Sequence, residues 1–272
     1  MKNNTLVIGA NGFLGSNLSK RLLTEGYNVF AVYNLQRNNI PEGSILFTID
    51  ELFEFEVDIN YIFFCPGSYK DNYDQYIQIN CFLLSKIILK YTKAKLIYIS
   101  SISVYGTTNN ILIENSCFTN PSLYGQSKIC GEFIAKSSIR YSIIRFTYMY
   151  GPYLNNNSFL PNIISQAKRE NKITLYGNGD RKQDYIHIND AINLCLLAMH
   201  YENNEVFLGA TGFSYSNLEV SNIVQALCQE VEIEFSGTES STSMSFNSDI
   251  TKSKLNWEPK VSIHDGIKTM LI

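Results

Sequence analysis

Thr5-Leu6-Val7-Ile8-Gly9-Ala10-Asn11-Gly12-Phe13-Leu14-Gly15 begins as a short apolar run, breaks into three glycines spaced G-x-x-G-x-x-G, and continues as an amphipathic segment. The stretch predicts a buried strand, a tight turn and a helix whose first backbone N–H groups and positive dipole end face a pyrophosphate. Gly9 permits the turn, Gly12 lets the backbone approach the phosphates, and Gly15 allows close packing of helix on strand. Asn11, Phe13 and Leu14 complete the predicted dinucleotide loop. Leu6, Val7 and Ile8 supply the strand, and Leu14, Leu18, Leu22 and Leu23 recur at helical spacing.

Outward from this loop, strand-like and helix-like segments alternate, the pattern of an α/β doubly wound parallel sheet. Strands are expected at 5–8, 28–32, 61–64, 96–100 and 142–145, and helices at 14–24, 75–91 and 124–137. After Pro152 the pattern is irregular: a loop at 155–157, a helix at 159–170, a turn at 176–180, and a returning helix at 190–200. The Ser/Thr-rich stretch 236–245 reads as a loop or lid, since little in it supports a core.

The bulk properties narrow the function. With 272 residues the chain can bury a large core, and its formal net charge of -3 without a long basic block gives no support for nucleic-acid binding. Cys65, Cys81, Cys117, Cys130, Cys195 and Cys228 are scattered, with no metal-ligand spacing, and read as buried free thiols. No apolar run approaches the roughly 20 residues that span a bilayer, so no membrane contact and a cytoplasmic setting are expected.

A second constellation lies in Tyr124-Gly125-Gln126-Ser127-Lys128, preceded by Ile99-Ser100-Ser101-Ile102-Ser103-Val104-Tyr105-Gly106. On a helix, Tyr124 and Lys128 stand at i and i+4 on one face. A phenol with a reference pKa of about 10 is a poor base at neutral pH, but a neighbouring ammonium favours its phenolate. Ser101, at the end of an apolar run, can donate to the same substrate oxygen.

With these residues in view, the sequence resembles an extended short-chain dehydrogenase/reductase of the nucleotide-sugar epimerase, dehydratase and reductase family. The likeness runs through the glycine loop, Asn80 in Tyr76-Ile77-Gln78-Ile79-Asn80, Ser101 with Val104-Tyr105-Gly106, Tyr124 and Lys128. It continues through Arg145 with Tyr150-Gly151-Pro152, Tyr185-Ile186-His187, and Leu255-Asn256-Trp257-Glu258-Pro259. The resemblance implies a Rossmann-type domain at 1–152, rejoined by 184–210, and a smaller substrate-binding lobe from 153–183 and 211–272. It also implies a homodimer formed through the helices that contain Tyr124 and 75–91, and a place in surface polysaccharide precursor synthesis.

By the same resemblance Ser101, Tyr124 and Lys128 are catalytic, while Asp50, Cys65, Pro66, Gly67, Asn80 and Ser100 join the glycine loop, Tyr124 and Lys128 around the cofactor. A nucleotide-sugar substrate is implied against Ser101, Ser103, Tyr124 and Tyr148. Where relatives place arginines, this chain has Gln183 and no cation in 239–247, so Arg181 and Lys182 are read as the phosphate contacts. His187 is read as a structural hydrogen-bonding residue.

Cofactor choice turns on the end of the second strand, where a carboxylate would bind the ribose 2′-hydroxyl of NAD. Ala31-Val32-Tyr33 runs instead into Asn34-Leu35-Gln36-Arg37, which leans toward NADP, with Asn34 and Arg37 near the 2′-phosphate and NAD the alternative. Family dehydratases carry an Asp-Glu pair where Ile102-Ser103 stands, and fucose-synthase-type enzymes a cysteine at Ser103, so both activities are disfavoured. Reduction of a 4-keto (deoxy)hexose nucleotide, with Tyr124 as the acid, is the expected reaction. The alternatives are a 4-epimerase with tightly bound NAD and, from another class, a non-catalytic dinucleotide-binding sensor or scaffold.

Overall fold

The computed structural model describes residues 3–34, 36–67, 72–108, 110–228 and 230–272. Leu35, in the segment read for cofactor choice, lies outside the described residues. In chain order the first elements are β1 (Asn4–Ile8), α1 (Phe13–Thr24), β2 (Asn28–Tyr33), β3 (Ile45–Thr48), α2 (Ile49–Glu54), β4 (Tyr61–Phe64) and α3 (Tyr73–Ile77). A π-helical segment (Gln78–Leu83) leads into α4 (Leu84–Lys90), followed by β5 (Lys95–Ser101), a 3₁₀ turn (Ile102–Tyr105), β6 (Ile111–Leu112) and α5 (Leu123–Ala135). Then come β7 (Tyr141–Phe146), β8 (Tyr148–Tyr150), α6 (Phe159–Glu170), β9 (Lys172–Tyr176), β10 (Lys182–His187), α7 (Ile188–His200) and β11 (Glu205–Gly209). The last elements are β12 (Ser214–Ser216), α8 (Asn217–Leu227), β13 (Glu232–Ser236), β14 (Ser245–Phe246), α9 (Asp249–Leu255) and α10 (Ile263–Met270).

A seven-stranded parallel sheet in the order β11-β7-β5-β4-β1-β2-β3 forms the frame. The chain order reverses between β1 and β4, which opens a crevice beyond their carboxyl ends. Helices cover both faces, so the central strands are apolar almost without interruption. One face packs Val7, Ile97 and Ile144 against Leu18 and Leu22 of α1, Leu194 of α7, and Trp257. The other packs Leu6, Ile62 and Tyr98 against Leu52, Leu84, Ile87 and Ala135. At such sites truncation of a leucine to alanine costs about 2–5 kcal/mol.

A third apolar cluster joins Leu160, Ile163 and Ile164 of α6 to Ile173, Leu175, Tyr185, Val220, Val224 and Ile267. It gathers around two small sheets, β12-β10-β8 and β13-β9. Asp184 joins this assembly to the large sheet. It accepts hydrogen bonds from Thr147 Oγ1 (3.0 Å), Thr211 N (3.0 Å), Thr211 Oγ1 (3.0 Å) and Gly212 N (2.8 Å).

The structure departs from the sequence reading in local detail. The helix expected at 75–91 is divided by the π segment, which turns Asn80 inward, where its Nδ2 donates to Ser127 Oγ (3.1 Å) and its Oδ1 accepts from Tyr98 (3.3 Å). β3 gives little sequence signal because, as an edge strand, it leaves Ile45 and Leu46 exposed. The stretch 236–245 starts in β13 and ends in β14, and Lys182 pins it by donating from its N to Ser243 Oγ (3.0 Å). The thiols are free as read, but Cys117 and Cys130 are exposed rather than buried. No helix among the described residues is long and apolar enough to cross a membrane.

Candidate active site

The glycine turn sits at the crevice. Gly9 N and Ala10 N both donate to Val32 O (3.0 Å each), which anchors the loop to the end of β2. Gly9 has φ +78, and a Cβ on Gly15 would stand 2.2 Å from Gly9 O, so the loop and the start of α1 touch backbone to backbone. Gly12 caps α1 without a side chain, and its first turn carries no acidic residue. Its first amides are therefore open to an anion. These features fit a dinucleotide pyrophosphate, with the amides at Phe13, Leu14 and Gly15 as donors and Asn11 at the turn's tip.

Cys65-Pro66-Gly67, beyond β4, forms the next wall. A Cβ on Gly9 would lie 3.1 Å from Pro66 N, and Pro66 O accepts from Lys128 Nζ (3.2 Å). Lys128 also donates to Ile99 O (3.0 Å) and lies 5.2 Å from the Tyr98 ring centre. Burial lowers its pKa to about 8, against the opposing pull of Cys65 and Glu132. Burial pushes the Cys65 thiol up to about 12, which makes it an inert wall residue.

Tyr124 and Lys128 share α5, with Lys128 Nζ 5.9 Å from the Tyr124 ring centre and Tyr76 packed edge-on against that ring at 5.4 Å. Ser122 caps the helix by accepting from Gly125 N (3.2 Å). At Gly125 a Cβ would meet Ser103 O at 2.2 Å, so the start of α5 lies directly on the 3₁₀ turn that follows Ser101. Ser101 Oγ accepts from Ser103 N (3.1 Å) and donates to Ser103 Oγ (3.1 Å). The fold thus brings Ser101, Ser103, Tyr124 and Lys128 to one edge of the crevice, together with the glycine loop and 65–67.

Other predicted residues are placed differently. Asn80 is buried and committed to Ser127 and Tyr98, one residue along α5 from Lys128. Ser100 is buried, and its hydroxyl donates to Glu132 Oε1 (2.6 Å). Asn34 and Arg37 follow β2, where Arg37 Nε donates to Tyr33 Oη (2.9 Å) and the guanidinium lies 5.5 Å from that ring centre. Asp50 is exposed in the first turn of α2, beside edge strand β3.

On the substrate side Tyr148 and Arg181 meet: Arg181 Nη2 donates to Tyr148 Oη (3.4 Å), and its Nε to Thr242 O (3.4 Å). Lys182 is exposed, and its charge acts on Glu219 of α8. Gln183 is buried, donating to Tyr185 Oη (2.9 Å) and Asn217 Oδ1 (2.9 Å), so it is spent on the fold. His187 caps α7, accepting from Asn189 N at its Nδ1 (3.3 Å), in keeping with a structural role. Glu132 was not singled out as a site residue. Its signal was available, a carboxylate one turn beyond Lys128 on the buried face of α5.

A parallel sheet with a glycine cradle at its switch point, and a tyrosine, lysine and serine beside it, defines a nicotinamide-dinucleotide-dependent enzyme class. The NAD dependent epimerase/dehydratase family matches residues 5–208, and the chain belongs to that family. Among curated proteins it is similar to UDP-glucuronic acid decarboxylase 4 of Arabidopsis thaliana, 28% identical over 98% of this chain and 67% of that one. It is also similar to an uncharacterised UDP-glucose epimerase of Bacillus subtilis, 25% identical over 96% of this chain and 95% of that one. Among solved structures, dTDP-glucose 4,6-dehydratase of Bacillus anthracis in complex with NAD superimposes with a TM-score of 0.86 at 23% identity, covering 99% and 95% of the two chains. UDP-glucose 4-epimerase of Thermotoga maritima with UDP-glucose does so with 0.86 at 23%, covering 98% and 97%.

Proposed function

We propose that the chain oxidises and reduces C4 of a nucleotide-linked hexose and that its net reaction is 4-epimerisation. The carrying observation is Ser101, Tyr124 and Lys128 at one crevice edge, with Ile102 and Ser103 where a dehydratase would need a carboxylic acid and base. A ketone at C4 permits inversion there without those carboxyls. The relatives named as epimerases match nearly the whole chain, which supports the same reading.

A bound nicotinamide supplies and accepts the hydride. Tyr124 takes the proton of the 4-hydroxyl and, once the keto sugar has turned to present its other face, returns it to the 4-oxygen, while Ser101 donates to the same oxygen. Lys128, held between the carbonyls of Ile99 and Pro66, favours the phenolate of Tyr124 by its charge. Tyr148 and Arg181 border the sugar's diphosphate, with Lys182 at the rim. The substrate lobe comprises 153–183 and 211–272, two chains pair through α4 and α5, and the free thiols suit a reducing cytoplasm.

A second reading, reduction of a 4-keto sugar by NADPH, is favoured by Arg37 stacked on Tyr33 at the end of β2, where NAD would meet a carboxylate. One assay separates the two. The purified protein is given UDP-glucose or UDP-galactose in one arm and a dTDP-4-keto-6-deoxyhexose with NADPH or NADH in the other, each beside Tyr124→Phe. Interconversion of the hexoses without net cofactor consumption is the expected outcome. Stoichiometric NADPH oxidation that needs Tyr124 would replace it with the reductase. Cofactor binding with no Tyr124-dependent turnover in either arm would favour the non-catalytic reading.

A further inference from the structure

We propose that Ser100 and Glu132 form a positioning pair that fixes Ser101 against Tyr124. The inference rests on the catalytic reading of those two residues. Three consecutive residues of β5 engage α5 in turn. A Cβ on Gly131 would stand 2.1 Å from Tyr98 Oη, Ile99 O accepts from Lys128, and Ser100 Oγ donates to Glu132 Oε1 at 2.6 Å. Ser100 and Arg145 are register partners on β5 and β7, so one carboxylate lies over both. Arg145 grips it with two parallel bonds, Nε to Oε1 (2.8 Å) and Nη2 to Oε2 (2.6 Å).

This polar network lies inside the protein. Glu132, Arg145 and Ser100 are all buried. Arg145 Nη1 donates to Tyr105 Oη (3.1 Å) and Glu114 O (2.7 Å), and its guanidinium lies 5.0 Å from the Tyr105 ring centre and 5.2 Å from that of Phe118. Tyr105 ends the 3₁₀ turn that begins after Ser101. The carboxylate therefore holds both flanks of Ser101, through Ser100 before it and through Arg145 and Tyr105 after it. Tyr124, Lys128 and Glu132 follow one another at four-residue intervals on α5, so the same carboxylate sets the helix that carries the phenol. A buried bidentate ion pair is geometrically rigid, which suits it to hold register.

Ser100→Ala is the discriminating variant because it leaves the Glu132–Arg145 pair intact, and Ser100→Thr restores the hydroxyl. Amide hydrogen exchange in the unliganded protein is compared over residues 101–105 and over β1 and α1. Alanine is expected to raise exchange over 101–105 about tenfold while β1 and α1 stay unchanged, and threonine to reverse most of that rise. In the 4-epimerase assay kcat is expected to fall about tenfold with KM within about twofold, and the isotope effect of a C4-deuterated hexose to rise. Unchanged exchange over 101–105, or a rise spread equally over the whole sheet, overturns the positioning role. If the unsubstituted protein turns over neither hexose, the 4-epimerase reading falls and the exchange result still decides the anchor.

Discussion

Lys128 is the buried companion of Tyr124, with its ammonium 5.9 Å from the phenol ring centre and fixed by the carbonyls of Ile99 and Pro66. Among the described residues it has no ion-paired carboxylate, and burial outweighs the pull of Cys65 and Glu132 to hold the ammonium's pKa at about 8. A cation kept in this way costs stability, which marks the position as a functional-site candidate.

A pH dependence follows. Between about pH 8 and the unfolded value near 10.4, the unfolded chain keeps the Lys128 proton and the folded chain has released it. Unfolding then takes up a proton, so this residue's contribution to stability rises with pH across that window, by up to about 3 kcal/mol. Below pH 8 both states are protonated and the full penalty applies. Urea denaturation of the unliganded protein from pH 7 to 10.5, beside Lys128→Met, isolates the term. Methionine should be the more stable protein at pH 7, with the two curves converging by pH 10.5, and it should lose turnover by at least about a hundredfold. Parallel stability curves would show that Lys128 titrates normally.

Arg37 decides the cofactor prediction. Its guanidinium lies over Tyr33 at the end of β2, and its charge also acts on Glu51 at the start of α2. Replacement by serine removes the cation and leaves the strand unaltered. On the reductase reading, a preference for NADPH over NADH, read from binding titrations monitored by nicotinamide fluorescence, should fall by about tenfold in Arg37→Ser. Equal affinities in the unsubstituted protein would assign Arg37 to the surface and leave NAD as the cofactor.

How much of this was legible in the sequence depended on range. The glycine turn and the Tyr124–Lys128 pair were readable because backbone freedom and a four-residue helical repeat are local. The expected helix at 159–170 coincides with α6, because its apolar stripe declares itself within a few turns. The pairing of Ser100 was not legible, for the opposite reason. Its partner Glu132 lies 32 positions away, and only the stacking of α5 on β5 shows that the hydroxyl is already used. Asn80 needed the π segment to turn inward, and no propensity announces such an insertion. The short strands β6, β12 and β14 take their form from partners distant in sequence, so nothing local marks them.

Asp184 carries a large predicted stability effect outside the crevice. Burial raises its pKa, opposed by hydrogen bonds from Thr211, Gly212 and Thr147. Asparagine would keep one acceptor oxygen and turn an NH₂ toward donors that now point at a carboxylate. Asp184→Asn should cost about 2–4 kcal/mol in urea denaturation. Because β10 is the element released, proteolytic nicking should increase in the small sheets while β1 and α1 stay protected. A loss below about 0.5 kcal/mol would mean that the donors find other partners.

The outer faces of the π segment, α4 and α5 make the last prediction. Phe82 is 56% exposed, Leu89 76% and Phe133 68%, an apolar set that a solitary protein would not be expected to leave in water. Pairing these helices with their copies in a second chain would cover it, at about 800 Å² per partner if the interface is of ordinary size. Sedimentation at micromolar concentration should give a dimer. Phe82→Lys with Phe133→Lys should give a monomer of unchanged helical content, since neither side chain is part of the core on either face of the large sheet. Cys130 is exposed on α5 in the single chain, so a thiol reagent should label it quickly in the double variant and slowly in the dimer. A monomer in the unsubstituted protein, with Cys130 labelled at full rate, would leave the face without its expected partner.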